Sequence, residues 1–328
     1  MVRRALLRCV LVMAAGCGDP GETGEPAWAL LDEAPASWMA VWGTSEHDVW
    51  VVGGRPALGS GPQLAHYDGE AWATIDPGMT GFDLWWVFGV PGSDTIYFGG
   101  SNGTILRYRA GVFEPMPTPG GTAIVFGIWG ASDTDLWAVG SDNGVGFAWR
   151  CDGSTWTAQT LPAGVSGRLF KVHGQSATDL WIAGGSGTTL HWNGSALERV
   201  MTETPWPLFS VVTTPSRTVA VGGTAAEGTI LEHTSGWTAA PVLGITAWRG
   251  VAAAGDEVYV VGESGTYVHH DGASWMAPRQ SITQRDFHAA WIDPSGGLWA
   301  VGGDFDRVPL TSNGVVTYFG ATQPRSFP

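Results

Sequence analysis

The sequence predicts an all-β protein, a seven-bladed β-propeller with four antiparallel strands per blade. Three observations predict it. A tryptophan-rich unit of about 40 residues recurs along the chain. Glycine (49 of 328 residues) and tryptophan (19) are abundant, as tight turns and packed sheets require. Residues that dominate exposed helices are scarce, Lys171 being the single lysine.

Each unit carries three features in fixed order. The first is an apolar strand that ends near glycine. Its copies are Trp38-Met39-Ala40-Val41-Trp42-Gly43, Leu84-Trp85-Trp86-Val87-Phe88-Gly89, Val125-Phe126-Gly127-Ile128-Trp129-Gly130 and Leu169-Phe170-Lys171-Val172-His173-Gly174, with weaker copies from Leu208, Ala247 and Phe287. The second is a polar turn that feeds another apolar strand, as in Asp48-Val49-Trp50-Val51-Val52-Gly53, Asp135-Leu136-Trp137-Ala138-Val139-Gly140 and Asp179-Leu180-Trp181-Ile182-Ala183-Gly184. The third is a strand, a tight turn and then usually an aromatic residue, as in His66-Tyr67-Asp68-Gly69-Glu70-Ala71-Trp72. Asp-Gly between strand-like runs signals a hairpin, because such turns need positive φ. The turn glycines read as Gly69, Gly111, Gly153, Gly194, Gly236, Gly272 and Gly314, spaced 42, 42, 41, 42, 36 and 42 residues apart.

Each unit holds four short strands. The first two are apolar at consecutive positions instead of alternating, as expected where both faces of a sheet are covered. One unit cannot bury those faces alone, so stacking is obligatory. Two segments, Ala27-Trp28-Ala29-Leu30 and Val315-Val316-Thr317-Tyr318-Phe319, both read as fourth strands. One is expected to close the ring and the other to add an extra edge strand.

The N-terminus reads as a leader. Arg3, Arg4 and Arg8 are its charged region, Cys9 to Ala15 a short apolar core, and Ala14-Ala15-Gly16 the small residues ahead of Cys17. No later run approaches the roughly 20 apolar residues of a spanning helix. Small residues just before a cysteine resemble a bacterial lipoprotein signal, although Ala14 stands where that family usually has leucine. The resemblance implies cleavage after residue 16 and acylation of Cys17. Gly18 in place of aspartate leans towards the outer membrane. The expected organisation is a signal peptide over 1–16, an acylated cysteine and tether over 17–26, and one propeller over 27–328. Without the three leader arginines, 13 basic residues (16 less 3) face 30 acidic ones, a net −17. That charge excludes nucleic acid and anionic lipid surfaces as partners. Cys151 is then the lone thiol, so the fold stands without disulfides.

The pattern Trp-Gly-x-Ser-x-x-Asp-Leu-Trp-x-Val-Gly, then Gly-Thr-x-Leu-His-Trp-Asp-Gly-x-x-Trp, resembles tandem propeller repeats of myxobacterial envelope lipoproteins. Ile128 to Gly140 and Gly187 to Gly194 match it best, and the resemblance spans about residues 27 to 320. Blades five and seven depart from it at Val219 and at Asp304-Phe305-Asp306. The repeat is also similar to Asp-box propellers and to the photosystem II assembly factor propeller. These resemblances imply a fold and an envelope location, and no particular activity.

Candidate chemistry is sparse. His66, His191, His233 and His269 each lie three residues before a turn glycine, a place held elsewhere by Tyr108, Arg150 and Thr311. Positions repeated around a ring do not converge on one metal, so neither a metal nor a cofactor is expected. Most tryptophans fall on repeat positions and read as core. Trp206 in a proline-flanked connection, and Trp86, which shares a variable first-strand position with Lys171, stand apart. Trp86, Lys171, Trp206, Arg285, Asp304 and Asp306 form the candidate ligand face. Asp304 and Asp306, with Asp293, also supply hard oxygens suited to calcium, but the spacing is not that of an EF-hand loop. A sialidase-like enzyme is the alternative reading. It needs an arginine cluster, drawn from Arg55, Arg168, Arg249, Arg279, Arg285 and Arg307, and no acid and base pair can be nominated for it. The expected function is a non-enzymatic envelope scaffold that engages a protein or a glycan. Its binding loops would be 54–62, 77–83, 201–207, 278–286 and 304–307, where variation sits on a constant frame.

Overall fold

The computed structural model describes residues 24–165, 167–242, 246–304 and 313–328. The expected leader, Cys17 and most of the tether lie outside the described residues. Among the described residues, 28 strands form seven four-stranded antiparallel sheets, and the one helical element is the 3-10 turn Glu263–Gly265. The seven-bladed propeller is therefore the fold.

The first strand of every blade lies innermost: Trp38–Ser45, Leu84–Gly89, Ile124–Ser132, Leu169–Ser176, Leu208–Thr213, Trp248–Ala254 and Phe287–Ile292. Each touches the first strands of both neighbouring blades, and the seven enclose a central channel. In blades one to six the remaining strands follow outward in chain order. Blade seven differs. Its order from the centre is Phe287–Ile292, Leu298–Gly302, Gly314–Gly320 and then Ala27–Ala34, which pairs from Ala27↔Gly320 to Ala34↔Gly314.

Both terminal segments thus join the same blade. The 315–319 run is the third strand, not a fourth or an extra edge, and the N-terminal strand closes the ring outside it. Gly314 starts that third strand and is not a hairpin turn. Its place in the glycine spacing was a coincidence. The C-terminal tail seals the seam between blades seven and one. Phe327 N–H donates to the Leu31 carbonyl, the Trp72 indole donates to the Arg325 carbonyl at 2.8 Å, and Phe327 stacks on Trp72 with centroids 4.0 Å apart. Such an aromatic pair is worth about 0.5–1.5 kcal/mol beyond its buried area.

The glycine that ends several first strands has a steric cause. A Cβ on Gly43 would meet the Trp291 ring at 2.8 Å, one on Gly89 the Trp42 ring at 2.2 Å, and one on Gly174 the Trp129 ring at 2.7 Å. The first-strand tryptophan of one blade therefore lies over the glycine of a neighbouring blade. Tryptophan and glycine recur together because they mesh across an inter-blade seam. Gly89→Ala is expected to destabilise by about 1–3 kcal/mol through overpacking, measured as a lower urea midpoint at unchanged slope. An unchanged midpoint would show that Trp42 has room to move.

Cys151 sits in a third strand at 1% exposure, and burial pushes its thiol pKa up. A protonated thiol is a poor nucleophile, and the residue serves the core.

Candidate functional site

The inner strands do not pair regularly with their neighbours. In all seven blades the register slips by one residue near the start of the first strand: Trp38/Ala40, Leu84/Trp86, Val125/Gly127, Leu169/Lys171, Leu208/Ser210, Trp248/Gly250 and Phe287/Ala289. Each slip is a β-bulge, which leaves one residue unpaired and re-aims its side chain. The bulged residues are Met39, Trp85, Phe126, Phe170, Phe209, Arg249 and His288. All but Met39 line a single chamber of about 220 Å³ at one mouth of the channel, together with Arg168 and Lys171.

The bulged rings touch in series around the mouth. Centroids lie 6.2 Å apart for His288 and Trp85, 5.2 Å for Trp85 and Phe126, 5.8 Å for Phe126 and Phe170, and 5.4 Å for Phe170 and Phe209. The Arg249 guanidinium lies 4.3 Å over Phe209 and donates to Glu263 at 2.5 Å. His288 donates from Nδ1 to the Met39 carbonyl at 2.6 Å. Burial drives its pKa down to about 3, with the neighbouring cations adding to the effect, so its ring is neutral at pH 7. Two donors on this wall, Trp85 Nε1 and Arg249 Nε, are shielded from water and have no hydrogen-bond partner.

Lys171 closes the floor of the chamber. Its Nζ donates to the Phe126 carbonyl at 2.7 Å and lies 3.7 Å from the Trp86 ring centroid, a cation–π geometry. Among the described residues no carboxylate pairs with it. Burial drives its pKa well below the ordinary lysine value. The Trp86 indole in turn donates to the Ile128 carbonyl at 2.8 Å. Beyond Lys171 the channel continues into a second space of about 240 Å³, walled by Trp42, Phe88, Trp129, His173 and Trp291.

The structure thus brings Trp86 and Lys171 together and separates the other candidates from them. Arg285 is held by Glu33 of the closing strand at 2.9 Å, so it clamps the last blade connection to the ring seam. The Asp304 side chain accepts from Asn313 at 2.8 Å and its carbonyl accepts from Ser37 at 2.7 Å. Asp306 lies outside the described residues. Asp293 is not near Asp304. It sits at the opposite end of the second strand of blade seven, where it accepts from Ser295, from the Gly297 amide and, at 2.9 Å, from the Trp299 indole. Asp293 and Asp304 therefore do not share a site, and among the described residues no cluster of metal-binding side chains occurs. Trp206 is 37% exposed and borders a separate groove of about 410 Å³ with Glu203, Glu227 and Trp237.

Of the candidate arginines, among the described residues only Arg168 and Arg249 share a chamber. Arg55 is paired with Asp83 at 3.0 Å, Arg279 lines a different recess, and Arg307 lies outside the described residues.

The histidines take a repeated structural role. His66, His191 and His269 face Trp50, Trp181 and Tyr259 across the second and third strands, stacked with centroids 4.1 to 4.5 Å apart. Each bonds the acid that opens the second strand: Asp48 at 2.6 Å, Asp179 at 2.8 Å and Glu257 at 2.8 Å. Burial pushes the Asp48 pKa up, but the bonds from His66, Thr44 and Trp50 outweigh it and leave the group below its ordinary value. Arg150 with Asp135 repeats the pair, and Arg217 with Glu232 repeats it with the charges exchanged. In blades two and five the equivalent third-strand residues are Arg107 and Glu232, not Tyr108 and His233, and in blade seven it is Tyr318. Thr311 lies outside the described residues. Turns of differing length displaced the spacing.

The expected binding loops 54–62, 77–83, 201–207 and 278–286 reach the face at the mouth, and of 304–307 only Asp304 is among the described residues. Blade connections bond the loops between second and third strands there: the Gly54 amide to Ser37, Ser101 to Asp83, Gly185 to Arg168, Gly223 to Pro207 and Gly303 to Asp286. The bulges were missed in the sequence because five hide inside apolar runs and those at Arg249 and His288 lie in the weaker copies of the repeat. Aligning the second residue of six first strands with the third residue of Ile124–Ser132 is the signal that would have found them.

No family model and no curated protein matches the chain. Solved structures do, over nearly its whole length. The propeller YCF48 bound to a D1 peptide is 14% identical, with a TM-score of 0.62, covering 89% of this chain and 96% of that one. The WD40 propeller domain of Doa1 is 13% identical, with a TM-score of 0.65 over 88% and 95%. The protein U3-55K is 11% identical, with a TM-score of 0.66 over 90% and 100%. At these identities the likeness shows the β-propeller fold.

Proposed function

We propose that this protein is a non-enzymatic scaffold that holds an extended segment of a protein partner against the mouth of its channel. The observation that carries the reading is the set of seven bulges. All seven first strands carry one near the same mouth. Bulges concentrate at sheet edges, at barrel rims and next to active sites, where they re-aim side chains. Around them stand the connecting loops, braced by repeated backbone bonds, which is the rigid frame with variable edges that recognition uses. The structural neighbour that carries a bound peptide agrees with this reading. The lipoprotein signal supports anchoring through Cys17 in the bacterial cell envelope, and Cys17→Ala is expected to release the protein from the membrane fraction.

The test compares wild type with the double variant Phe170→Ala/Phe209→Ala as bait against solubilised envelope proteins and envelope polysaccharide. Saturable retention of one protein by the wild type, weakened at least tenfold in a variant of native fold, is the expected result. Equal retention by both baits would move the site away from the mouth. Retention of polysaccharide alone would favour a second reading, a glycan lying in the Trp206 groove. There an exposed indole stands beside Glu203 and Glu227, the stacking face and acceptors that sugars use.

A further inference from the structure

We propose that the mouth chamber binds an organic anion, a carboxylate carried on an aromatic or apolar body, with the carboxylate seated towards Lys171 and the body against the bulged rings. The inference rests on the same mouth as the scaffold reading and names the chemistry that enters it.

Four features carry it. The walls are apolar and aromatic, formed by Trp85, Phe126, Phe170 and Phe209. The polar groups on those walls are mostly donors. Lys171 has three N–H bonds at most and a carbonyl for one of them. Trp85 Nε1 and Arg249 Nε have no acceptor at all. These two are among eight such shielded donors in the described residues, so the N–H bonds of Lys171 left over from the Phe126 carbonyl are the donors that a ligand in the chamber completes. The charge is also inverted here. The chain as a whole carries −14, yet the chamber gathers Lys171, Arg168 and Arg249, and among the described residues only Arg249 of these is balanced by a carboxylate, Glu263. Finally, the size fits a small molecule or one side chain, since about 220 Å³ is below the usual volume of a drug-sized site.

Lys171 also couples the site to protons. The groups that face it or its immediate neighbours are Trp86, the Phe126 carbonyl, Arg249, neutral His288, Arg168 at the rim and Glu263 behind Arg249. With no carboxylate beside it, its ammonium form is disfavoured by burial. An arriving carboxylate favours that form, so binding takes up a proton whenever the free protein holds the amine neutral.

The experiment is calorimetric titration of the propeller, residues 24–328, with phenylacetate and with its uncharged isostere phenylacetamide, in buffers of different ionisation heat. The expected result is saturable phenylacetate binding, at least tenfold tighter than the amide. Lys171→Met is expected to abolish that preference while keeping the native near-ultraviolet spectrum. Trp85→Phe, which removes only the orphan N–H and some ring area, is expected to weaken phenylacetate several-fold. Equal binding of acid and amide, no saturable binding of either, or an unchanged preference in Lys171→Met would each overturn the proposal. The two readings fail separately. A partner protein that binds the mouth while phenylacetate does not leaves the scaffold standing and removes the anion site. Phenylacetate binding in a protein that retains no partner does the reverse.

Discussion

A chain that begins at Ala36, and so lacks the strand Ala27–Ala34, is expected to lose most of its stability. That strand provides the fourth member of blade seven and pairs with Gly314–Gly320 along its whole length. It also brings Leu31, 3% exposed, into the seam and offers the carbonyl that anchors Phe327. Each ladder bond contributes about 0.5–1.5 kcal/mol net, and a buried leucine about 1.5–3 kcal/mol. The loss therefore exceeds about 5 kcal/mol, comparable with the whole stability of an ordinary domain. Guanidinium unfolding followed by near-ultraviolet circular dichroism is the measurement. The truncated chain should show a broad, shifted transition, and a peptide of residues 24–36 added in trans should restore it in proportion to its concentration. A truncated chain with the wild-type midpoint and slope would mean that three strands suffice to close blade seven.

The second large effect is expected at Lys171, and it is stabilising. Replacing a buried charge by an apolar side chain of similar length removes a desolvation penalty, and such replacements gain about 1–4 kcal/mol. Lys171→Met should therefore raise the melting temperature by several degrees at pH 7. The sign of the pH dependence follows from the lowered pKa. Between the folded value and the ordinary lysine value of about 10.4, the unfolded chain binds more protons than the native one. Wild-type stability thus rises with pH across that window, by at most about 1.4 kcal/mol per pH unit. The advantage of the methionine variant should shrink as pH rises from 7 to 9.5. Two neighbouring effects set those limits. His173 and His288, lowered by burial to about 4 and about 3, cost stability as pH falls below 6.5. Tyr97, Tyr259 and Tyr318, raised by burial, cost stability above pH 10, where the unfolded chain ionises first. A constant difference between the two proteins from pH 7 to 9.5 would show that the amine keeps an ordinary pKa.

Much of this fold was legible because the repeat states the same physics seven times. A tryptophan that must lie over a neighbour's glycine leaves both residues in every well-kept copy. An acid that opens the second strand and a base on the third recur for the same reason. What was not legible depends on pairing between distant segments. Nothing local in Val315 to Phe319 distinguishes a third strand from a fourth, since both are short apolar runs. Only the partner at Ala27 decides it. The candidate site was half visible. Trp86 and Lys171 stood out because they break a repeat position, and they meet at 3.7 Å. Arg285 and Asp304 stood out only because loops vary, and each is held by a partner within the frame. The bulged residues escaped because a slip in register leaves no mark in composition.

The blade that closes the ring is also a constraint in time. Gln323 reaches back to the Ala27 carbonyl across 296 positions, while the other six blades join strands that are neighbours in sequence. Six blades can form from local contacts as the chain emerges, in the manner of low contact order. The earliest strand of the propeller has to wait, unpaired, for the latest one. During that interval it is an open edge that any exposed strand of another molecule can occupy. The meeting of its two ends is therefore expected to be the slow step of folding. Two chains caught half-folded side by side can exchange these end strands and form a swapped dimer.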